Sequence, residues 1–283
     1  MSILLAYLFY FVAASASPLQ RRWLAVNRDS QADGQIYLAF QVTGFTAILG
    51  FSLFLFEPLY ISPDHLKLAA FTIACGIFGA GYFWASYSSQ KYVEAGVSSL
   101  VSNIYTPVTI ALSTAFLGEG LTVKQMIGTA LLFVGILVVS KKHRIGRFKF
   151  DKYFLLMAAS GLMLGVVLVL ERAMQKETGL AVASLLSWWA QFVVLGLAVL
   201  ITKSRHTYSN KDVTVTGVLR FLQSLSFVVL VFAVGNLSIV SSITAFKVVV
   251  VFAAAALFLN EREDIHRKIL GSAIALAGLL LVQ

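Results

Sequence analysis

Residues 239–259, IVSSITAFKVVVVFAAAALFL, constrain this chain most, because the stretch is long enough to cross a bilayer and carries a lysine within it. About twenty apolar residues, at roughly 1.5 Å of rise each, cover the hydrocarbon core. Lys247 lies eight residues from one end and farther from the other, so it sits roughly 12 Å from the nearer interface. A lysine stem does not comfortably snorkel that far. A charge held at that depth costs on the order of 3 kcal/mol by insertion scales. Two environments offset it: a substrate- or water-filled cavity, or backbone carbonyls between helices. Intramembrane ionisable groups are usually functional, which favours the cavity.

Nine further apolar windows accompany it. The ten run roughly over 2–20, 36–57, 66–89, 95–117, 122–140, 152–172, 180–202, 213–234, 237–259 and 265–282. Charged residues make up 12% of the 283, against about 25% in soluble domains, and 59% are hydrophobic. The expected fold is therefore an all-α membrane protein of ten transmembrane helices. No basic segment precedes the first window, which reads as a retained helix and not a cleaved signal peptide. Cys75 is the one cysteine, so an internal disulfide and a multi-thiolate metal site are both excluded. The four histidines fall in separate connections, with no HExxH and no nucleophile elbow, so no metal, cofactor or enzymatic activity is expected. The net charge of +9 reads as membrane orientation and not as nucleic-acid binding.

The windows form two related halves. FLGE at 116–119 recurs as FLNE at 258–261, 142 positions later, and each is followed by a helix with glycines seven apart: Gly128 and Gly135, then Gly271 and Gly278. Residues 1–140 and 152–283 are the expected five-helix repeats, joined by a basic loop, 141–151. Five is odd, so the second copy enters the membrane from the opposite face. The result is an inverted repeat, the architecture of carriers that alternate access around a midplane site. Odd-numbered loops hold sixteen Lys and Arg and even-numbered loops four, which places the odd loops in the cytoplasm, in a prokaryotic inner membrane.

The stretch 105–139, YTPVTIALSTAFLGEGLTVKQMIGTALLFVGILVV, has a proline-valine in a helix, a glycine-glutamate turn and a glycine-punctuated helix. In these features the chain resembles the EamA-like ten-helix proteins of the drug/metabolite transporter superfamily. The resemblance implies secondary transport of a metabolite without naming it. SSITAFKVVVV, at 241–251, is also similar to a ninth-helix stretch in sugar-phosphate and nucleotide-sugar carriers, whose lysine holds the substrate phosphate. The basic residue that often follows there is Val248 in this chain.

Ser98, Ser102, Tyr105, Thr109 and Ser113 recur at steps of four, three, four and four, forming one polar stripe on the fourth helix. The repeat offset maps Lys247 onto Tyr105 and Thr244 onto Ser102, so the same face of two paired helices is marked twice. Candidate substrate-binding residues are Lys247, Thr244, Tyr105, Ser102 and its neighbour Asn103, with Gln223 and Arg220 on the eighth helix and Trp84 and Tyr87 on the third. Arg220 also fits interfacial snorkelling, and Trp84 and Tyr87 an interfacial belt. Tyr10, Ser15, Gln41 and Gln191 are further intramembrane polar residues. Glu171 is a candidate coupling residue, although its place at the end of the sixth window predicts a solvated carboxylate. Pro107 removes a backbone donor and is a candidate gating hinge. GIFGAG at 76–81 and the pair Gly161 and Gly165 read as helix-packing faces.

The expected function is export of a small polar or anionic metabolite, with Lys247 countering its negative charge. Two alternatives are an exporter of hydrophobic compounds or aromatic amino acids, with Lys247 structural, and a non-transporting receptor or assembly subunit. The expected partners are the bilayer and a small-molecule substrate, with the chain acting as a monomer or homodimer.

Overall fold

The computed structural model describes residues 3–27, 32–55, 57–60, 64–90, 92–93, 95–140, 152–203, 208–258 and 265–282. The basic loop and Glu261 of the second turn motif lie outside these. Within them the chain is all-helical, with no strand. The helices are α1 (Ile3–Asn27), α2 (Ala32–Leu49, continued by a 3₁₀ segment at Gly50–Leu55), α3 (His65–Ser89), α4 (Ala95–Ser102), α5 (Tyr105–Leu117), α6 (Val123–Ser140), α7 (Lys152–Thr202), α8 (Asn210–Val234), α9 (Leu237–Thr244), α10 (Lys247–Phe258) and α11 (Ile265–Val282).

Local chemistry sets the ends. The side chains of Asp64, Ser209 and Asn236 accept from the backbone N–H of Lys67, Asp212 and Ile239, capping α3, α8 and α9. Gly118 and Gly235 end α5 and α8 in the left-handed region, at φ 68° and 73°. Among the described residues six stretches are long and apolar enough to cross a membrane: Ile3–Ala25, Gln35–Leu55, His65–Ser89, Ser98–Leu117, Lys152–Thr202 and Asn210–Val234. Shorter apolar helices run over Val123–Val138, Leu237–Val251 and Ile269–Val282.

At 51 residues α7 would measure roughly 75 Å, far beyond a bilayer, but it breaks at Gly179, where φ is 79°. Glu57 makes this break. Its carboxylate lies 2.5 Å from where a Cβ at Gly179 would sit, and it accepts the Ala181 N–H at 2.7 Å, capping the second part of α7. The first part remains helical to Thr178, beyond the expected end at 172.

Two further interruptions lie 142 positions apart. The helix is broken at 103–104, between α4 and α5, and again at 245–246, between α9 and α10. Ile104 N–H donates to Val101 O (3.2 Å) as Phe246 N–H does to Ile243 O (3.1 Å). Thr106 N–H donates to Asn103 O (3.0 Å) as Val248 N–H does to Ala245 O (3.1 Å). Both breaks are thus tightened by the same three-residue bonds. Pro107 lies exposed in the first turn of α5, just after the break, where a missing N–H matters little. The second break carries Val249 at that position, so the proline is not what interrupts the helix.

The glycines pack helices closely. A Cβ at Gly128 would lie 2.8 Å from Gly278 O, and one at Gly135 would lie 2.6 Å from Gly271 O. As one number rises the other falls, so α6 and α11 cross antiparallel, and each glycine meets the repeat counterpart of the other. Gly161 and Gly165 of α7 lie against the first break, where their Cβ atoms would approach Ser102 O at 2.6 Å and Tyr105 O at 3.1 Å. Gly76, Gly79 and Gly81 pack α3 against Ala190, Gln191 and Met163 of α7.

Candidate functional site

Both breaks turn side chains of their helices toward one cavity. Lys247 opens α10 directly after the second break, and Tyr105 opens α5 directly after the first. The Lys247 ammonium donates to Tyr105 Oη at 3.3 Å and lies 4.5 Å from the centroid of that ring. A hydrogen bond to a charged group and a cation–π contact, worth roughly 1.5–3 and 0.5–2 kcal/mol, together offset much of the insertion penalty. Tyr105 Oη and Thr244 Oγ1 are 3.5 Å apart, and Thr244 also donates to Val240 O at 2.8 Å. Among the described residues Lys247 has no ion-pair partner.

The cavity has about 60 Å³ of water-accessible space, enough for a few waters and too little for a metabolite. Its polar wall comprises Lys247, Tyr105, Glu171, Gln191, Arg220 and Gln223, and aromatic surface comes from Tyr10, Tyr82, Phe83, Trp188 and Phe227. Arg220 stands ten residues into α8. Its guanidinium lies 4.9 Å from the Phe83 ring and 5.6 Å from the Tyr82 ring, and its Nε makes no hydrogen bond. Glu171 is buried within α7, contrary to the solvated helix end expected. The helix runs past it, one oxygen accepts only from Ser187 Oγ at 3.4 Å, and the other makes no hydrogen bond. Gln223 Oε1 likewise has none. Two cations and one carboxylate thus face a single cavity without an ion-pair partner among the described residues. Buried polar groups in that state call for water or a ligand.

Other expected residues lie elsewhere. Trp84 points away from the bundle, 45% exposed. Tyr87 is buried beneath the Arg21 guanidinium, 4.8 Å from its ring centroid, and does not line the cavity. Ser102 donates to Ser99 O at 3.2 Å, and Asn103 accepts from Thr106 Oγ1 at 3.3 Å. The stripe on the fourth helix divides at the break. Ser98 meets Met157 Sδ, Ser113 bonds Ser238 Oγ at 2.7 Å, and only Tyr105 reaches the cavity wall.

Glu119 of the glycine-glutamate turn, expected at a loop edge, joins several elements. It is buried and accepts from Arg172 Nε and Lys176 Nζ, both at 2.9 Å, and from Leu237 N–H at 2.7 Å, which caps α9. Arg172 also donates to Gly235 O at 2.7 Å, Asn236 to Gly120 O at 3.2 Å, and Ser238 Oγ to Glu119 O. The α5–α6 turn, α7 and the start of α9 are locked together at the end of the bundle beyond Glu171. A small void lined by Glu171, Arg172, Gln175 and Leu237 lies between this cluster and the cavity. At the opposite end Gln20 and Thr216 (2.8 Å), Gln35 and Tyr208, and Arg22 and Gln90 O (2.8 Å) tie the helices.

The model of the EamA-like transporter family matches residues 1–141. A protein of Streptantibioticus cattleyicolor named "Probable terminal-alkyne amino-acid exporter" is 26% identical over 233 residues, covering 80% of this chain and 76% of its own. A crystal structure of a protein superposes with a TM-score of 0.68 at 16% identity, covering 98% of this chain and 97% of its own, a likeness of fold alone.

Proposed function

Since this chain belongs to the drug/metabolite transporter superfamily and is a multi-pass membrane transporter, not an enzyme, we propose that it exports a small carboxylate-bearing metabolite by alternating access around the Lys247 cavity. The carrying observation is the set of three charged side chains, Lys247, Arg220 and Glu171, facing one cavity without ion-pair partners among the described residues. Two cations against one acid leave the wall net positive, which suits an anionic group. Lys247 and Arg220 take the substrate carboxylate, Tyr105 and Gln223 hydrogen-bond it, and Glu171 receives an amino group where the substrate has one. The name of the Streptantibioticus relative supports an amino acid among the cargoes.

The helices form ten spans in two inverted five-helix repeats, 1–140 and 152–283, with the odd loops in the cytoplasm. The two helix breaks 142 positions apart, with matching backbone bonds, and the reciprocal glycine contacts between α6 and α11 support this arrangement. Broken helices that meet at a midplane site are the usual construction of such carriers. Outward opening then separates the Glu119 cluster while the opposite end stays tied.

The aromatic wall of Tyr10, Tyr82, Phe83, Trp188 and Phe227 supports a second reading, export of hydrophobic compounds or aromatic amino acids with Lys247 structural. A thermal-shift screen of wild type and Lys247→Met separates the two. Carboxylates that stabilise the wild type and not the variant support the first. Apolar amines that stabilise both equally, with no effect of carboxylates, support the second and overturn the first.

A further inference from the structure

Arg21 stands on α1 between two residues that tie helices together. Gln20 bonds Thr216 of α8 at 2.8 Å, and Arg22 donates to Gln90 O at 2.8 Å. Arg21 makes no such tie: its Nε is buried without a hydrogen bond, and it has no ion-pair partner among the described residues. Asp212, the one described carboxylate at this end of the bundle, takes the Ser209 hydroxyl at 2.8 Å. The Arg21 guanidinium lies 4.8 Å from the centroid of the Tyr87 ring, whose hydroxyl is also unbonded. Gln90 follows one turn later on the same face of α3, its N–H on Tyr87 O at 3.2 Å, and neither atom of its side-chain amide has a partner. Tyr87 and Gln90 are each 1% exposed. Buried donors left without an acceptor are costly, and they call for a ligand or water.

These groups adjoin the transport cavity without lining it. Tyr82 and Phe83 belong to the cavity wall, and the Phe83 and Tyr87 rings stand 5.9 Å apart between centroids. Arg220 lies over Tyr82 and Phe83 as Arg21 lies over Tyr87, one turn of α3 farther along, about 6 Å. The fields of Arg220, Arg21 and Lys247 all reach the Tyr82 hydroxyl. Three cations, each against an aromatic face, thus lead from the Gln20 and Arg22 ties to Tyr105. We infer that Arg21, Tyr87 and Gln90 form a second carboxylate-binding site, which receives cargo from this end before Arg220 and Lys247 take it over. The Arg21 fork, Tyr87 Oη and Gln90 Nε2 are the donors to the carboxylate oxygens. The count of Lys and Arg places this end in the cytoplasm, and when its ties open Arg21 is the first of the three cations uncovered. The inference rests on the carboxylate cargo of the proposed function, but occupancy of this site does not require Lys247.

Phenylglyoxal, which modifies arginine, tests this on the full chain in neutral detergent, with benzoate as the anionic probe and benzamide as its uncharged counterpart. Peptide mass mapping reads the modification of Arg21. The expected result is that benzoate slows it at least five-fold, in Lys247→Met as in wild type, and that benzamide leaves it unchanged. Tyr87→Phe, which keeps the ring beneath Arg21, and Gln90→Leu each raise the half-protecting benzoate concentration about ten-fold. No protection by benzoate, or equal protection by benzamide, overturns the site and leaves water as its occupant. An Arg21 that never reacts overturns it as well, because a loading site has to open. Protection that disappears in Lys247→Met overturns a site separate from the cavity. An unchanged half-protecting concentration in Tyr87→Phe overturns the assigned donors, whether or not Gln90→Leu folds. Protection of Arg21 in Lys247→Met, beside a carboxylate thermal shift that this substitution leaves intact, removes Lys247 from cargo binding and keeps the Arg21 site.

Discussion

Glu119→Gln tests the least anticipated part of the molecule. The substitution keeps the side chain's shape and removes its charge. Glu119 and Arg172 are 7% and 8% exposed, so the arginine is left buried with no opposing charge. Three donors converge on the carboxylate: Arg172 Nε, Lys176 Nζ and Leu237 N–H. Hydrogen bonds to charged groups are worth roughly 1.5–3 kcal/mol each, and the amide oxygen retains one of them in weaker form. Lys176 is 40% exposed, and solvent screening leaves it little weight. The loss is therefore about 3 kcal/mol, at the low end of the range for stranding a buried charge. On the scaling of soluble domains of this size, that lowers the melting temperature by on the order of 6–12 °C. Tryptophan fluorescence of detergent-purified protein during a thermal ramp measures it. Adding Arg172→Met removes the stranded charge and recovers most of the loss. A shift under about 2 °C for the single variant, or no recovery in the double, refutes the cluster as a structural lock.

Gly135→Leu forces a side chain into the backbone of α11 at Gly271 and lowers stability by about 1–3 kcal/mol or more, read as loss of monodisperse protein on size-exclusion chromatography. Glu171→Gln leaves the melting temperature near wild type and reduces flux of amino-bearing substrates about ten-fold, roughly 1.4 kcal/mol, while simple carboxylates are still carried in proteoliposomes. Trp84→Ala leaves flux of every cargo within about two-fold of wild type, because its side chain faces away from the cavity.

The all-helical, membrane-spanning character of the chain was legible in its hydropathy, and the repeat offset marked Lys247 and Tyr105 as equivalent positions, while their contact is disclosed only by the fold. Glu171 was misread because ERAMQKET, at 171–178, is polar enough to resemble a helix end, yet it stays helical as Glu57 draws the break down to Gly179. The eighth window begins at 213 in the hydropathy, whereas Ser209 caps α8 a few residues earlier, which sets Arg220 farther from the helix end. Trp84 and Tyr87 were grouped by spacing, but which faces of α3 meet α7 depends on glycine contacts that spacing does not disclose. The helix breaks left no single-residue mark, since Pro107 follows one and no proline follows the other. Glu119 did leave a signal, the repeated turn glutamate, but its partners lie 53 and 118 positions away and only the fold joins them.

Counterflow in proteoliposomes tests most directly whether substrate sits at Lys247. Vesicles loaded with an unlabelled carboxylate that stabilises the wild type accumulate the labelled compound through wild-type protein. With Lys247→Gln, reconstituted to the same density and shown to fold, the initial rate falls at least ten-fold, about 1.4 kcal/mol of lost binding. Accumulation at the wild-type rate through Lys247→Gln would mean that the ammonium group does not hold the cargo.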